Sequence, residues 1–162
     1  MVRPDPVGPG QESVWEYPRP PALVRDAREV VVRHGDVEVA RTTGAYRVLE
    51  TSHPPGWYLP AEDVRLDLLE PGDGSSVCEW KGRAVYWDLV VGDARLPGVA
   101  WSYPKPTPAF RPIAGYVAFY PTDLTCTVGG VAVESQAGGF YGGWITPDVV
   151  GPFKGGPGTW GW

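Results

Sequence analysis

Cysteine, histidine and long apolar runs are all scarce in this chain of 162 residues. Cys78 and Cys126 are far apart and form no Cys-x-x-Cys pair, which argues against a disulfide scaffold and against a four-cysteine zinc site. With only two histidines besides, we expect no metal and no cofactor. No stretch approaches about 18 apolar residues, and no secretory signal opens the chain, so we expect no membrane partner and a reducing cytoplasm.

Positive charge is also in short supply, since the net charge is -5 and the isoelectric point is near 5.0. A molecule of that charge repels polyanions, so we expect no nucleic-acid partner. The length fits one domain, which we expect to be a monomer or a weak homodimer. Glycine (22 residues) and proline (19 residues) interrupt every long segment before a long helix can form. The sequence therefore predicts a mainly β domain of twisted antiparallel sheets.

Short runs of alternating or β-branched residues predict the strands. A hairpin is expected over residues 29–40, with His34-Gly35-Asp36 as its turn. A helical turn is expected after Pro60 and a chain reversal at residues 71–74. Further strands are predicted at residues 46–50, 64–68, 77–80, 84–91, 100–103, 116–120, 124–128 and 131–133.

Both ends of the chain differ in composition from the middle. The prolines of residues 1–27 predict an extended arm that takes no part in strand pairing. Residues 28–137 are expected to form the β domain. Residues 138–162 combine many glycines with Trp144, Trp160 and Trp162, so we expect this tail to pack on the domain and bury its rings.

Three motifs carry a family resemblance: residues 78–87, which begin Cys78-Glu79-Trp80-Lys81-Gly82, residues 100–106 and residues 117–120. They resemble the family called domain of unknown function 427, in a longer branch that has a Gly/Trp-rich tail. The resemblance covers roughly residues 36–133. It implies a fold resembling the twisted-sheet β-tent of several zinc-binding domains. This chain lacks their paired cysteines, so a zinc role does not carry over.

Some members of that family carry a nucleotidyltransferase label, which the residues do not favour. Nucleotidyl transfer needs carboxylates that hold metal ions close together. Enzymes of the main superfamily place an Asp-x-Asp or Asp-x-Glu pair shortly after a Gly-Ser turn. Here Gly74-Ser75 is followed by Glu79 and then by Asp88, with Val90 two positions later. The acidic pair is missing.

Three residues are candidates for catalysis. Lys81 follows Trp80 at a predicted turn, where its amine could hold an anion or form an imine, although a solvated turn lysine is the ordinary alternative. Cys78 could act as a nucleophile with His53 as its partner, although buried structural cysteines are commoner. Cys126 lies between Leu124 and Val128 on one strand face and is expected in the core.

Aromatic residues at strand ends and loops predict a binding pocket, because aromatic walls with a few polar groups suit a ring compound. We expect Lys81 and His53 to share this pocket. Its predicted ligand-binding residues are Glu50, His53, Tyr58, Glu79, Trp80, Lys81, Tyr86, Trp101 and Tyr103. The leading hypothesis is a domain that binds a small molecule of unknown identity. An enzyme (nucleotidyltransferase-like, or using Cys78 or Lys81 covalently) and a protein-interaction module are the alternatives, so whether it is an enzyme stays open.

Overall fold

Strands form most of the regular structure in the computed structural model, which describes residues 2–162. Strand accounts for 45% of the chain and helix for 9%, and most strand pairs are antiparallel, which confirms the predicted fold class. Within the described residues, every helix is of the 3-10 type. No helix there is long and apolar enough to cross a membrane.

The strands are β1 (Glu12–Ser13), β2 (Ala22–Asp26), β3 (Val30–His34), β4 (Val37–Thr42), β5 (Ala45–Leu49), β6 (Gly56–Tyr58), β7 (Leu69–Cys78), β8 (Gly82–Val91), β9 (Ala94–Ser102), β10 (Val117–Phe119), β11 (Thr125–Val128), β12 (Val131–Ala132), β13 (Glu134–Ser135), β14 (Trp144–Ile145) and β15 (Val149–Val150). The 3-10 helices are Val14–Glu16, Ala61–Asp63, Leu66–Leu68 and Pro108–Ile113. Ala61–Asp63 is the turn predicted after Pro60.

Three larger sheets build the molecule. Their strand orders are β10-β9-β8-β7, β12-β11-β3-β4 and β2-β5-β6. Two small pairs complete the topology, β13 with β14 and the parallel pair of β1 with β15. In that last pair, the start of the chain lies against a strand from its tail.

The main core gathers apolar side chains from all three larger sheets, among them Val30 of β3, Leu89 of β8 and Trp57 of β6, each at most 2% exposed. Alternation along the strands explains this burial, because every second side chain points to the same face. Trp144 of the tail stacks on Trp57 with ring centroids 6.0 Å apart. Its indole Nε1 donates a hydrogen bond to the Phe119 carbonyl oxygen at 2.8 Å.

The predicted hairpin is confirmed, with β3 and β4 joined at Gly35, whose φ is 57°. Two local predictions are wrong. Leu66–Leu68 forms a 3-10 helix instead of a strand, and only Val64 of that segment forms a bridge, to Ala40. The reversal predicted at residues 71–74 is absent, because β7 continues through it with a register shift that absorbs the glycines.

The ends of the chain also depart from the predictions. The prolines of residues 1–27 do not prevent pairing, since β2 pairs with β5 along its full length after the last of them. In the tail, Trp144 is fully buried and Trp162 packs edge-on against Trp15 at 5.4 Å. Trp160 is 85% exposed, so the prediction that all three rings are buried is wrong for this one.

Candidate functional site

A cavity of about 340 Å³ lies on the side of β6 and β9 opposite the main core. Its walls come from the β7–β8 turn, the loop after β5, the aromatic side chains of β6, β8 and β9, and the tail. The lining residues are Val48, Glu50, His53, Pro54, Gly56, Tyr58, Ser76, Val77, Cys78, Glu79, Trp80, Lys81, Ala84, Tyr86, Trp101, Tyr103, Tyr120, Gln136, Phe140, Tyr141, Gly142, Gly143 and Lys154.

The turn between β7 and β8 carries Lys81 into this cavity. The turn is pinned by Thr107, whose backbone amide donates to the Lys81 carbonyl at 3.0 Å and whose hydroxyl donates to the Trp80 carbonyl. Gly82 follows with a φ of 107°, a backbone angle that residues other than glycine rarely adopt. Strand β7 stops at Cys78, so Glu79, Trp80 and Lys81 belong to the turn, and all three line the cavity.

The loop after β5 supplies Glu50 and His53. The His53 backbone amide donates to the Glu50 carbonyl at 3.0 Å, which closes a tight turn. The Glu50 carboxylate oxygen Oε2 lies 3.6 Å from both Arg19 Nη2 and His53 Nε2, so Arg19 offsets part of its charge. The tail is tied to this loop by the Lys154 amide, which donates to the Ser52 carbonyl at 2.8 Å.

The aromatic wall is built from side chains of adjacent strands. Tyr86 of β8 is the cross-strand partner of Trp101 of β9, and both face the cavity. The Trp101 indole Nε1 donates to the Tyr58 hydroxyl at 3.3 Å. Tyr103 lies beside Tyr58 with ring centroids 6.2 Å apart. Burial, with smaller contributions from its neighbours, raises the pKa of Tyr103 above the ordinary value, so this phenol stays neutral.

Lys81 brings an unpaired positive charge to the aromatic wall. Its Nζ lies 5.6 Å from the Tyr103 ring centroid, within cation–π range. No carboxylate of residues 2–162 is within 4.0 Å of this ammonium. Burial opposes the charge, but the neighbouring Tyr58, Cys78 and Glu50 outweigh it and raise the pKa of Lys81 above 10.5. The side chain is therefore cationic at neutral pH.

His53 is neutral at the same pH. Burial, followed by the positive charges of Lys154, Lys81 and Arg19, lowers its pKa to about 4. The ring contacts Tyr141 edge-on at 4.9 Å, and its side chain is 14% exposed. A neutral imidazole can donate a hydrogen bond from one nitrogen and accept one at the other. A neutral His53 therefore offers the cavity one hydrogen-bond donor and one acceptor.

The tail forms part of the cavity wall and contributes residues that the sequence did not indicate. Lys154 Nζ lies 5.5 Å from the Tyr141 ring centroid and donates to the main-chain oxygen of Trp162 at 3.2 Å. Gln136 holds this wall together, since its Nε2 donates to the Lys154 carbonyl at 2.6 Å and its Oε1 accepts from the Gly143 amide at 3.1 Å.

Both cysteines are free thiols, and only Cys78 lines the cavity. It is half-buried, and it is one of the neighbours that raise the pKa of Lys81. Cys126 lies in the main core, where burial raises its pKa to about 12. Among the described residues, no three His, Cys, Asp or Glu side chains are grouped so that they could hold a metal ion.

All nine predicted ligand-binding residues line this one cavity, and so does Cys78. Their shared position is a fact of the fold, while their binding of a ligand stays a prediction. The lining residues that were missed include Tyr120 just after β10, Gln136 just after β13, and Tyr141 and Lys154 of the tail. The sequence does show a lysine within the Gly-rich tail. Its position in the chain does not indicate that it lines the cavity.

A family model confirms the resemblance. The model described as domain of unknown function (DUF427) matches residues 22–130, which is more than half of the chain. The match begins with β2 and ends in the turn after β11, so the tail wall of the cavity lies outside it. No curated protein matches the chain in sequence. The chain belongs to the family of domain of unknown function DUF427.

Proposed function

We propose that this protein binds a small anionic ring compound in the cavity between the aromatic wall and the tail. The observation that carries the proposal is the Lys81 ammonium, which is charged, faces the cavity and has no carboxylate partner among residues 2–162. An ammonium has three hydrogen-bond donors, and one that has no carboxylate beside it can give them to an anion that enters the cavity.

The rest of the cavity supports a ring as the body of the ligand. Tyr58, Trp101, Tyr103 and Tyr141 all contribute aromatic rings to its lining. Neutral His53 and the tyrosine hydroxyls provide donors and acceptors that fix an orientation. A volume of about 340 Å³ lies at the lower end of the range for small-molecule sites, roughly 300–1,000 Å³. The ligand is therefore a compound of metabolite size.

A thiol enzyme is the second candidate, and the presence of Cys78 and Lys81 in the lining of the same cavity favours it. A thiolate formed at Cys78 would have the ammonium beside it. Imine formation at Lys81 is disfavoured, because its raised pKa keeps the amine protonated. Nucleotidyl transfer has less support, since Glu50 and Glu79 are the only carboxylates among the lining residues. An interaction module, the β-tent likeness and a cytoplasmic location also remain proposals.

The test is a thermal-shift screen of small aromatic acids, sugars, nucleotides and other metabolites. Each compound is measured with the wild type, with Lys81→Met and with Lys105→Met. Lys105 is exposed and does not line the cavity, so its replacement is the matched control. We expect at least one acidic ring compound to raise the Tm of the wild type and of Lys105→Met, but not that of Lys81→Met. An equal response of Lys81→Met, or no response of the wild type, contradicts the proposal.

A further inference from the structure

Glu50, His53 and Lys81 bring three different chemical groups to the lining of one cavity. The first is a carboxylate, the second an imidazole that is neutral at neutral pH, and the third an ammonium. Glu50 Oε2 lies 3.6 Å from His53 Nε2. Lys81 is among the cations whose charge acts on His53, and Glu50 is among the neighbours whose charge acts on Lys81. The cavity therefore combines a proton acceptor, a neutral hydrogen-bond donor and a cation.

Glu50 is held in the cavity lining by its neighbours. Its carboxylate oxygen Oε2 lies 3.6 Å from Arg19 Nη2, and Arg19 itself donates to the Thr51 carbonyl at 2.9 Å. The turn that follows Glu50 is closed by the His53 amide on the Glu50 carbonyl. The Glu50 side chain is only 19% exposed. A carboxylate that is fixed in this way beside a ligand can accept a proton from it.

The charges around His53 decide which of the two neighbouring groups takes up a proton. Burial, followed by the cations Lys154, Lys81 and Arg19, lowers the pKa of His53 to about 4. A proton added to this imidazole would face those three positive charges, whereas a proton added to the Glu50 carboxylate neutralises a negative one. The same cations stabilise negative charge that develops on a ligand atom. Glu50 is therefore the proton acceptor, and His53 is a neutral donor.

We infer that this cavity catalyses the enolisation of an aromatic 2-oxo acid, with Glu50 as the base and His53 as the donor to the ketone oxygen. Such a substrate has a carboxylate, a ketone beside it and a CH2 group that links the ketone to a ring. The inference rests on the proposed function, because the carboxylate is the anion assigned to Lys81. The aromatic residues of the lining suit the ring.

The reaction moves one proton and needs no co-reactant. The C–H bond beside the ketone breaks, and its proton goes to the Glu50 carboxylate. The electron pair of that bond forms the C=C bond of the enolate, while the π electrons of the ketone move to its oxygen. The His53 N–H donates to that oxygen, and the Lys81 ammonium stabilises the negative charge. In D2O the acid proton of Glu50 exchanges with solvent, and the returning deuteron labels the carbon.

The experiment follows deuterium exchange into phenylpyruvate by proton NMR in D2O, with the full chain. The CH2 signal is recorded with and without protein, and the exchange rate in buffer alone is subtracted. The variants are Glu50→Gln and His53→Leu. Glu62→Gln is the matched control, because Glu62 is exposed and does not line the cavity. Calorimetry with 3-phenylpropanoate, which has a ring and a carboxylate but no ketone, measures binding separately from reaction.

We expect the wild type and Glu62→Gln to raise the exchange rate at least about tenfold above that in buffer. Glu50→Gln should lose about a hundredfold of the protein-dependent rate, because the base is gone. His53→Leu should lose a similar factor of about a hundred, because the enolate oxygen loses its donor. Glu50→Gln should nevertheless bind 3-phenylpropanoate at least as tightly as the wild type, since the substitution removes a negative charge from the cavity.

The two probes separate this inference from the proposed function. If the wild type binds 3-phenylpropanoate but does not accelerate exchange, or if the acceleration survives in Glu50→Gln, enolisation is overturned and the proposed function stands. If the wild type neither binds 3-phenylpropanoate nor accelerates exchange, both fail. Circular dichroism checks that each variant is folded. If Glu50→Gln does not fold, Glu50→Asp replaces it, and withdrawing the carboxylate by one CH2 group should lower the rate at least about tenfold.

Discussion

Trp57 and Tyr58 are neighbours in the chain and both are 2% exposed, yet they belong to different parts of the molecule. Trp57 points into the main core, and Tyr58 points into the aromatic cluster that walls the cavity. Strand β10 divides in the same way, with Val117 and Phe119 in the core and Ala118 in the cluster. One set of short strands therefore separates the main core from the aromatic-lined cavity.

The two faces differ in chemistry as well as in position. The core face is mostly aliphatic and rich in β-branched valine side chains. The cavity face is rich in tyrosine and tryptophan, whose polar tips need hydrogen-bond partners. Burial therefore builds a core on one side of these strands and an aromatic-lined cavity on the other.

The largest expected effect is on the core side. Trp144→Ala removes a fully buried ring, its stacking on Trp57 and its hydrogen bond to the Phe119 carbonyl. We expect the free energy of unfolding in urea to fall by about 3–5 kcal/mol. Trp160→Ala is the control within the same tail, and its 85% exposed ring predicts a change within about 0.5 kcal/mol. If the two variants lose the same free energy of unfolding, the contrast between a buried Trp144 and an exposed Trp160 is wrong.

The next effect lies at the boundary of the cavity and concerns pH. His53 has a pKa of about 4 in the fold and 6.5 without its burial and the nearby cations, so it stays neutral while the unfolded chain takes up a proton. Its contribution is complete above pH 6.5 and is lost as the pH falls towards 4. We expect a loss of ~3 kcal/mol across that window.

His53→Gln isolates this contribution, because glutamine cannot titrate. Unfolding free energies measured from pH 8 to pH 4 should fall less steeply in His53→Gln than in the wild type. Carboxylates such as Asp26 and Asp148, whose pKa values are also lowered, affect both proteins alike at the acid end. Parallel curves would show that His53 takes up its proton as readily in the fold as in the unfolded chain.

The smallest expected effect tests how closely the tail wall approaches the aromatic wall. A Cβ added at Gly142 would overlap the Trp101 indole, so Gly142→Ala must push the tail away from the cavity. We expect a loss of about 1–3 kcal/mol in stability together with weaker binding of any cavity ligand. Gly156→Ala is the matched control, since no atom lies within 4 Å of its added Cβ. If Gly156→Ala also weakens ligand binding, the effect comes from any change in the tail and not from the close approach of Gly142 to Trp101.

The sequence predicted the fold class and one wall of the site for a common reason. Glycine and proline exclude long helices, and alternation identifies most strands, so strand ends such as Glu50 and the turn at Lys81 could be located directly. Predictions were wrong where local signals competed. The glycines of residues 71–74 were read as a reversal, although β7 absorbs them as an irregularity. Leu66 and Leu68 alternate like a strand but form a 3-10 helix.

By itself the sequence determined which residues carry polar chemistry and that they stand at strand ends, because side-chain period and turn chemistry are local properties. Only the tertiary structure decided that Lys154 and Tyr141 line the same cavity as Lys81 and Tyr103. Those two pairs lie far apart in the chain, and their meeting depends on the path of the tail. That path is set by long-range contacts, such as the Lys154 amide on the Ser52 carbonyl, which no local pattern encodes.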